Sequence, residues 1–271
     1  MTGFALAVAI IGLLAKYATE QAPPWQIVFI QNLVATLLIA PFTFSRGLKG
    51  LRTTHPYLQL TRALAGGGGY ALMFLALSFT PITETVLMTT TSPLFIPFIY
   101  WLFIRERVKH SLWWGIIVGF IGIAFVLHPT ERAFSEGILL ALGAGICIGI
   151  VMVALRLMGR DEWMPRTLFF YFALTTLLTL APALYYWNNP PLYVWLAMIG
   201  TGVFGILSNV CLTLGLRHGS ASILSPIYYT SVIFAALFDW IFWHVVPDYL
   251  TIIGAILVIA GGTWTLLAGR K

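Results

Sequence analysis

Long apolar runs dominate this chain, and only short breaks that carry charges, proline or asparagine separate them. The runs are continuous and lack the alternation of period two that marks the strands of a membrane β-barrel. A helix needs about 20 mostly apolar residues to cross a bilayer. We therefore predict ten transmembrane helices, at 2–18, 25–44, 57–79, 81–104, 111–128, 136–156, 165–187, 192–216, 220–244 and 250–268.

The composition narrows the fold class. Hydrophobic types make up 59% of the 271 residues and charged types only 9%, whereas about 25% of a soluble domain is charged. So few charges cannot cover the surface of a soluble fold of this length. We predict an all-α polytopic membrane protein. Its two cysteines lie inside apolar runs, so a disulfide framework is not expected.

The basic residues predict an orientation. With a cytoplasmic N-terminus, thirteen of the 15 Lys and Arg residues lie on the inner side, and only Lys16 and Arg132 lie outside. This bias follows the positive-inside rule and predicts that both termini are cytoplasmic. Arg62 lies one turn inside the third helix, and we interpret it as snorkelling to the cytoplasmic interface. The alternative, in which Arg62 binds an anionic substrate group, stays open. The bias also explains the net charge of +6 without nucleic acid as a partner.

The two halves of the chain resemble each other at an offset of 139 residues. At this offset Gly115 and Gly122 fall on Gly254 and Gly261, and the turn after the third helix falls on the turn after the eighth. Each half holds five helices, an odd number, so the second half must enter the membrane upside down. Inverted repeats are typical of secondary transporters. We predict two inverted five-helix repeats (5+5) as domains, 1–130 and 135–271.

Several short motifs carry a family resemblance. They are Ala76-Leu77 before a turn at Pro81, then Thr91-Ser92-Pro93-Leu94-Phe95, the inner loop Arg105-Glu106-Arg107-Val108, and the stretch from Gly115 to Gly122. The chain resembles the drug/metabolite transporter superfamily, specifically its ten-helix EamA-type members. The resemblance implies transport of a small organic metabolite through a central cavity lined by helices of both repeats.

Polar residues in the middle of the spans are the candidate substrate contacts, because polar groups at this depth are costly. Tyr70 and Asn209 match at the repeat offset, and the polar positions of the fourth helix match those of the ninth in the same way. The alternative is that the hydroxyls bond to their own helix carbonyls and the tyrosines are simply packed. The predicted substrate-binding residues are Tyr70, Thr89, Ser92, Tyr100, Asn209, Tyr228 and Ser231.

Two acidic residues lie within predicted spans. Glu84 is one turn into the fourth helix, and Asp239 is about one turn from the outer end of the ninth. A partly desolvated carboxyl has a raised pKa, so either residue is a candidate for proton coupling. Alternatively, Asp239 forms a structural outer gate with a nearby tyrosine or tryptophan donor.

Glycine and proline predict where helices approach or bend. The run Gly66–Gly69 lies inside a span, and no Lys-Ser/Thr follows it, so it predicts close helix packing rather than a phosphate loop. Pro93, Pro97 and Pro226 predict kinks that can serve as hinges.

These observations predict a secondary active transporter in the plasma (inner) membrane of a bacterium. Its substrate is expected to be a small organic molecule such as an amino acid, an amphipathic amine or a cofactor-like compound. We expect no catalytic residues, cofactor or metal, and a monomer or a homodimer. Two alternatives are an intramembrane lipid-handling protein or enzyme that uses Asp239 and Glu84, and a structural subunit that transports nothing.

Overall fold

The computed structural model describes residues 2–47, 51–104, 110–127, 136–159, 162–218 and 221–268, and these residues form α-helices and short connections. The predicted turn at Gly219 and the loop Arg105–Val108 lie outside these ranges. The helices are α1 Thr2–Thr19, α2 Pro24–Phe44, α3 Pro56–Leu77, α4 Ile82–Thr89, α5 Ser92–Ile104, α6 His110–Leu127, α7 Glu136–Met158, α8 Met164–Tyr185, α9 Leu192–His218, α10 Ala221–Phe238 and α11 Tyr249–Ala268. A π-helical turn, Asp239–Trp243, continues α10.

Six helical segments are long and apolar enough to cross a bilayer, and four further apolar helices in the described residues are shorter. One of the six is Ile82–Ile99, which combines α4 with the first part of α5. The apolar runs of the sequence therefore do form helices. The number of bilayer crossings and their direction remain predictions.

The predicted helix at 81–104 is helical over most of its length but is not continuous, because the chain breaks it at Thr90 and Thr91, next to the kink predicted at Pro93. Pro93 is the second residue of α5; its ring removes a backbone donor and disfavours the helical conformation of the residue before it. The hydroxyls of Thr90 and Thr91 donate to the carbonyls of Leu87 and Met88 and help to end α4. The break lies directly beside the cavity described below.

Glycines bring the backbones of α6 and α11 into contact. A Cβ atom at Gly115 would lie 2.8 Å from the carbonyl oxygen of Gly261, and one at Gly122 would lie 2.7 Å from that of Gly254. Close backbone approach through small residues is typical of packed membrane helices. We call these four glycines the glycine seam.

The glycine run of α3 has the predicted packing role. A Cβ atom at Gly66 would overlap the ring of Tyr171 on α8, and one at Gly67 would lie 2.8 Å from the Thr175 side chain. The prediction that this run permits close approach of α3 to a neighbour is confirmed.

The helices pack in matched pairs. α3 packs against α7 and α1 against α9; α3 packs against α8 and α2 against α9; α7 packs against α4 and α5, and α1 against α10. In addition, α2 packs on α8, α4 on α10, and α6 on α11. The five helical units of the first half, in order α1, α2, α3, α4–α5 and α6, can be matched with α7, α8, α9, α10 and α11 of the second half. Under this match, the packing of α3 on α7 becomes that of α9 on α1, and the other pairs exchange in the same way. The packings of α2 on α8, α4 on α10 and α6 on α11 are each converted into themselves.

Candidate functional site

A cavity of about 70 Å³ lies between α1, α3, α4, α7, α8, α9 and α10. Most of its wall is apolar, which is common for small-molecule sites. The polar residues in the wall come from both halves of the chain: Tyr70, Thr89, Thr90, Tyr171, Ser208, Asn209 and Ser231.

The structure brings four of the seven predicted substrate-binding residues to this cavity, namely Tyr70, Thr89, Asn209 and Ser231. The Ser92 hydroxyl is buried 4.0 Å from the sulfur of Met152, and Ser92 does not belong to the wall. The side chains of Tyr100 and Tyr228 lie outside the described residues.

The hydroxyl of Tyr70 lies next to the polar side chains of Ser208, Asn209 and Gln31. Asn209 also donates its amide to the carbonyl of Gly205, one turn earlier on α9. Thr89 likewise donates its hydroxyl to the Val86 carbonyl at 2.8 Å. The Thr89 hydroxyl therefore donates its proton within its own helix, as the alternative interpretation of the sequence predicted. Its oxygen can still accept a hydrogen bond at the cavity wall.

Arg62 points inward, so the interpretation that it snorkels to the interface is wrong. Its side chain is 0% exposed, and its guanidinium lies 4.4 Å from the ring centre of Tyr171. It donates to the Thr167 carbonyl at 3.0 Å and to Oδ1 of Asn209 at 3.4 Å. Helix packing explains why the Arg62 side chain points inward. Because Gly66 has no side chain, the Tyr171 ring packs directly against α3, and the Arg62 guanidinium lies over the face of this ring.

At one end of the bundle, Asp239 binds the start of α4. Its carboxylate accepts hydrogen bonds from the backbone of Ile82 at 3.1 Å and from the backbone and hydroxyl of Thr83, both at 2.6 Å. Pro81, which precedes α4, offers no side-chain cap of its own. Asp239 therefore caps α4 from the other half of the chain, and the predicted tyrosine or tryptophan donor is not among these partners.

Lys16 completes this group, which we call the Asp239 cluster: Lys16, Thr80, Ile82, Thr83 and Asp239. The ammonium lies 3.9 Å from the Asp239 carboxylate and donates to the Thr80 carbonyl at 3.1 Å. Glu84, the other predicted acid, lies close enough to interact electrostatically with Lys16. The cluster connects α1, α4 and the π-helical turn.

A second acidic cluster was not predicted. Glu162 accepts hydrogen bonds from the hydroxyl of Thr53 at 2.6 Å and from the backbone of Thr54 at 3.1 Å, and it lies 3.3 Å from Arg166. We call these four residues the Glu162 cluster. It joins the segment before α3 to the segment before α8. The sequence signal was an acidic residue, Glu162, one helical turn before Arg166.

The Glu162 cluster is expected to weaken in acid. Burial alone would raise the pKa of the Glu162 carboxyl, but hydrogen bonds from Thr53 and Thr54 and the charge of Arg166 outweigh it and lower this pKa. The ionised form is therefore favoured in the folded protein. Its contribution to stability is complete above the ordinary value of 4.5 and is lost as the pH falls through the lower, folded pKa.

We expect thermal unfolding to show this acid-dependent loss, and Glu162→Gln to reduce it. Asp248→Asn serves as a control, because Asp248 caps the backbone of Thr251 in a different loop and asparagine also caps helices well. An unchanged acid dependence in Glu162→Gln would contradict the assignment.

Comparison with known proteins identifies the class. The model of the EamA-like transporter family matches the chain over residues 1–128 and again over 135–267. The chain therefore belongs to the EamA-like transporter family, within the drug/metabolite transporter superfamily, and it is an integral multi-pass membrane protein.

Similar proteins are named as transporters with different substrates. The chain is 27% identical to a pseudopaline exporter of Pseudomonas aeruginosa, across 93% of this chain and 89% of the exporter. It is 29% identical to a riboflavin transporter of Vibrio cholerae, across 94% and 87% of the two chains. It is 22% identical to an S-adenosylmethionine uptake transporter of Rickettsia bellii, across 96% and 89%.

A solved crystal structure has the same fold, with a TM-score of 0.71, 20% sequence identity and coverage of 100% of this chain and 98% of the other. The family and the named relatives are transporters rather than enzymes. This chain is likewise a transporter and not an enzyme.

Proposed function

We propose that this protein is a secondary carrier that moves a small organic metabolite across the membrane by alternating access. The observation that carries the proposal is the cavity, whose polar wall combines Tyr70 and Thr89 of the first half with Asn209 and Ser231 of the second. A site at the interface of two repeats is the usual arrangement in secondary transporters. The substrate class includes amino acids, amphipathic amines and cofactor-like compounds.

Two inverted repeats are part of this proposal, and the glycine seam supports them. At the repeat offset of 139, Gly115 corresponds to Gly254 and Gly122 to Gly261. The contacts run crosswise, from Gly115 to Gly261 and from Gly122 to Gly254. Crosswise contact between equivalent residues is expected at a two-fold axis, where residue i meets j and j meets i. The matched helix packings follow the same relation.

The two acidic clusters suggest which contacts must open. Asp239 holds the segment after α3, and Glu162 holds the segment before it, so α3 is tied at both ends to the second half. The cavity of about 70 Å³ is smaller than the roughly 300–1,000 Å³ typical of small-molecule pockets. We infer a narrowed cavity, in which opening one side to a substrate requires release of the cluster on that side.

The proposed topology has ten spans and cytoplasmic termini in the plasma membrane of a bacterium. It places the Asp239 cluster outside and the Glu162 cluster inside. Asp239 acts as the outer gate, and a monomer contains the whole pathway. The alternative use of Asp239 as an acid or base of a lipid-handling protein is disfavoured, because both of its carboxylate oxygens accept hydrogen bonds from α4.

Reconstituted protein tests the proposal. Proteoliposomes are mixed with a metabolite panel that contains amino acids, amphipathic amines, riboflavin and S-adenosylmethionine, with and without a pH gradient. We expect saturable uptake of at least one solute. If correctly folded protein moves none of them, the carrier proposal is wrong.

Asn209→Leu should reduce transport about fivefold, because it removes one neutral hydrogen-bonding group worth roughly 1 kcal/mol from the cavity wall. Asn32→Leu is the matched control. Asn32 also donates to a carbonyl one turn earlier, that of Val28, but lies on α2 outside the cavity wall. Equal losses of transport in the two variants, at equal amounts of folded protein, would contradict the cavity assignment.

A further inference from the structure

Three hydroxyl groups of the cavity wall already donate their protons within the protein. Thr89 and Thr90 each donate to the carbonyl three residues earlier on α4, and both bonds measure 2.8 Å. Ser208 does the same on α9, at 2.9 Å. A hydroxyl has one proton and two lone pairs, so each of these oxygens can still accept a hydrogen bond but has no second proton to donate. This part of the wall therefore favours a ligand that donates hydrogen bonds.

The backbone at the break between α4 and α5 strengthens this preference. Thr89 is the last residue of α4 and Thr90 is its C-cap, and both line the cavity. In a continuous helix the Thr89 carbonyl would accept from the N–H four residues later, but that residue is Pro93, which has no N–H. The carbonyl oxygens at the C-terminal end of a helix carry partial negative charge. The end of α4 thus also favours a hydrogen-bond donor.

Asn209 and Tyr70 extend the polar part of the wall. The Asn209 oxygen accepts a hydrogen bond from Arg62, and one N–H of its amide donates to the Gly205 carbonyl at 3.1 Å. The amide carries a second N–H, which can donate to a carbonyl oxygen of a ligand. A primary amide, which has two N–H donors and one acceptor oxygen, can therefore use both parts of this wall.

Building on the proposed carrier function, we propose that the substrate carries a primary amine or a primary amide, whose N–H groups donate to the hydroxyl oxygens of Thr89, Thr90 and Ser208. A nitrogen of this kind brings two or three donors to one point, where the three acceptors lie in one wall. Apolar side chains of α1, α3, α7 and α9 form most of the remaining wall, and the less polar part of the substrate lies against them.

Selectivity follows from the direction of these hydrogen bonds. An analogue without N–H groups would leave the oxygens of the wall buried without a donor, or would set its own lone pairs against them. Sites that hydrogen-bond an N–H or O–H group of a substrate reject analogues that lack this group much better than apolar pockets reject a missing methylene. The cavity should therefore distinguish N–H donors from their methylated counterparts.

Two matched pairs of probes test the inference on the purified, full-length protein. One pair is benzylamine and benzyltrimethylammonium, which both carry one positive charge at neutral pH. The other pair is phenylacetamide and its N,N-dimethyl derivative, which are both neutral. Within each pair, methylation removes the N–H donors and keeps the charge. Binding is measured as the shift in thermal unfolding temperature during titration.

We expect the donor-bearing member of at least one pair to bind about tenfold more tightly than its methylated partner, because it makes more than one additional hydrogen bond. The pair that shows the preference tells whether the site takes the charged amine or the neutral amide. If neither donor-bearing probe exceeds its partner, or none of the four probes binds, the inference is overturned.

Variants separate the loss of donors from the added bulk of the methyl groups. Thr90→Val removes the hydroxyl oxygen but keeps the shape of the side chain. It should weaken binding of the preferred donor-bearing probe about fivefold and leave its methylated partner unchanged. Thr201→Val is the matched control, because buried Thr201 also donates to the carbonyl three residues earlier, that of Met198, but lies outside the cavity wall.

Equal binding of the donor-bearing probe by Thr90→Val and Thr201→Val would overturn the assignment to this wall. If Thr90→Val does not fold, Ser208→Ala provides the same comparison, since it also removes one acceptor oxygen. The outcome separates from that of the proposed function. Uptake of solutes into proteoliposomes without any preference for N–H donors would refute this inference and leave the carrier intact, whereas absence of all uptake would refute the carrier itself.

Discussion

Asp239→Ala is expected to lower the free energy of unfolding by about 3–5 kcal/mol, the usual effect of removing one partner from a buried ion pair. Asp239 is 0% exposed. Without its carboxylate, the backbone donors of Ile82 and Thr83 lose their acceptor, and Lys16 loses its counter-charge. Reversible unfolding in detergent measures the change.

The same substitution should open the outer side. A single cysteine at Ser208, in a background with Cys147 and Cys211 replaced by alanine, reports access to the cavity wall. In Asp239→Ala this cysteine should react faster with a membrane-impermeant thiol reagent applied from outside. Asp248→Asn, which removes an exposed acid from the loop before α11 that the proposed topology places outside, is the control. Equal effects of both substitutions would show that Asp239 is not the gate.

Gly122→Ala is the second substitution with a large expected effect. Its Cβ atom would lie 2.7 Å from both the carbonyl oxygen of Gly254 and the backbone nitrogen of Val258. Backbone atoms cannot rotate away as a side chain can, so α6 and α11 must separate. Overpacking of this kind destabilises by about 1–3 kcal/mol.

Gly68→Ala provides the control for the glycine seam. This glycine lies in α3, and a Cβ atom there would meet nothing within 4 Å. Alanine is the better helix former by roughly 0.5–1 kcal/mol, so Gly68→Ala should be neutral or stabilising. Unfolding measurements that rank the two variants the other way would contradict the close contact of α6 and α11.

Hydrophobic length predicted the helices well, because the bilayer demands apolar runs and satisfied backbone groups. Pro93 predicted a kink near this point, and the structure has a break between α4 and α5. A proline can kink a helix or interrupt it, and the choice depends on whether nearby groups satisfy the freed backbone. Here the hydroxyls of Thr90 and Thr91 donate to carbonyl groups at the C-terminal end of α4 and so help to end this helix.

The repeat offset led to part of the cavity wall. Tyr70 and Asn209 correspond at this offset, and both line the cavity. Ser208 and Tyr171 also line it but were not predicted. Ser208 is the neighbour of Asn209 in the sequence, so the repeat could have predicted it as well. Tyr171 lines the cavity because Gly66, more than 100 residues earlier in the chain, leaves space for its ring.

The positions of Arg62 and Glu162 could not be predicted from their neighbours in the sequence. Snorkelling assumes that a side chain near a helix end can reach the interface, but α3 packs against both α7 and α8, and Arg62 is buried there. Two hydrogen-bond donors to Glu162 are Thr53 and Thr54, which lie more than 100 residues before it in the chain. Such pairings depend on how loops meet in three dimensions, and no spacing in the sequence encodes them directly.

The central claim is that one cavity opens alternately to the two sides of the membrane. The most direct test labels the Ser208 cysteine, with Asp239 intact, in right-side-out and in inside-out membrane vesicles with the same impermeant thiol reagent. We expect labelling from both sides, and slower labelling from both sides when a transported solute is present. Labelling from one side only, or from neither, would contradict alternating access through this cavity.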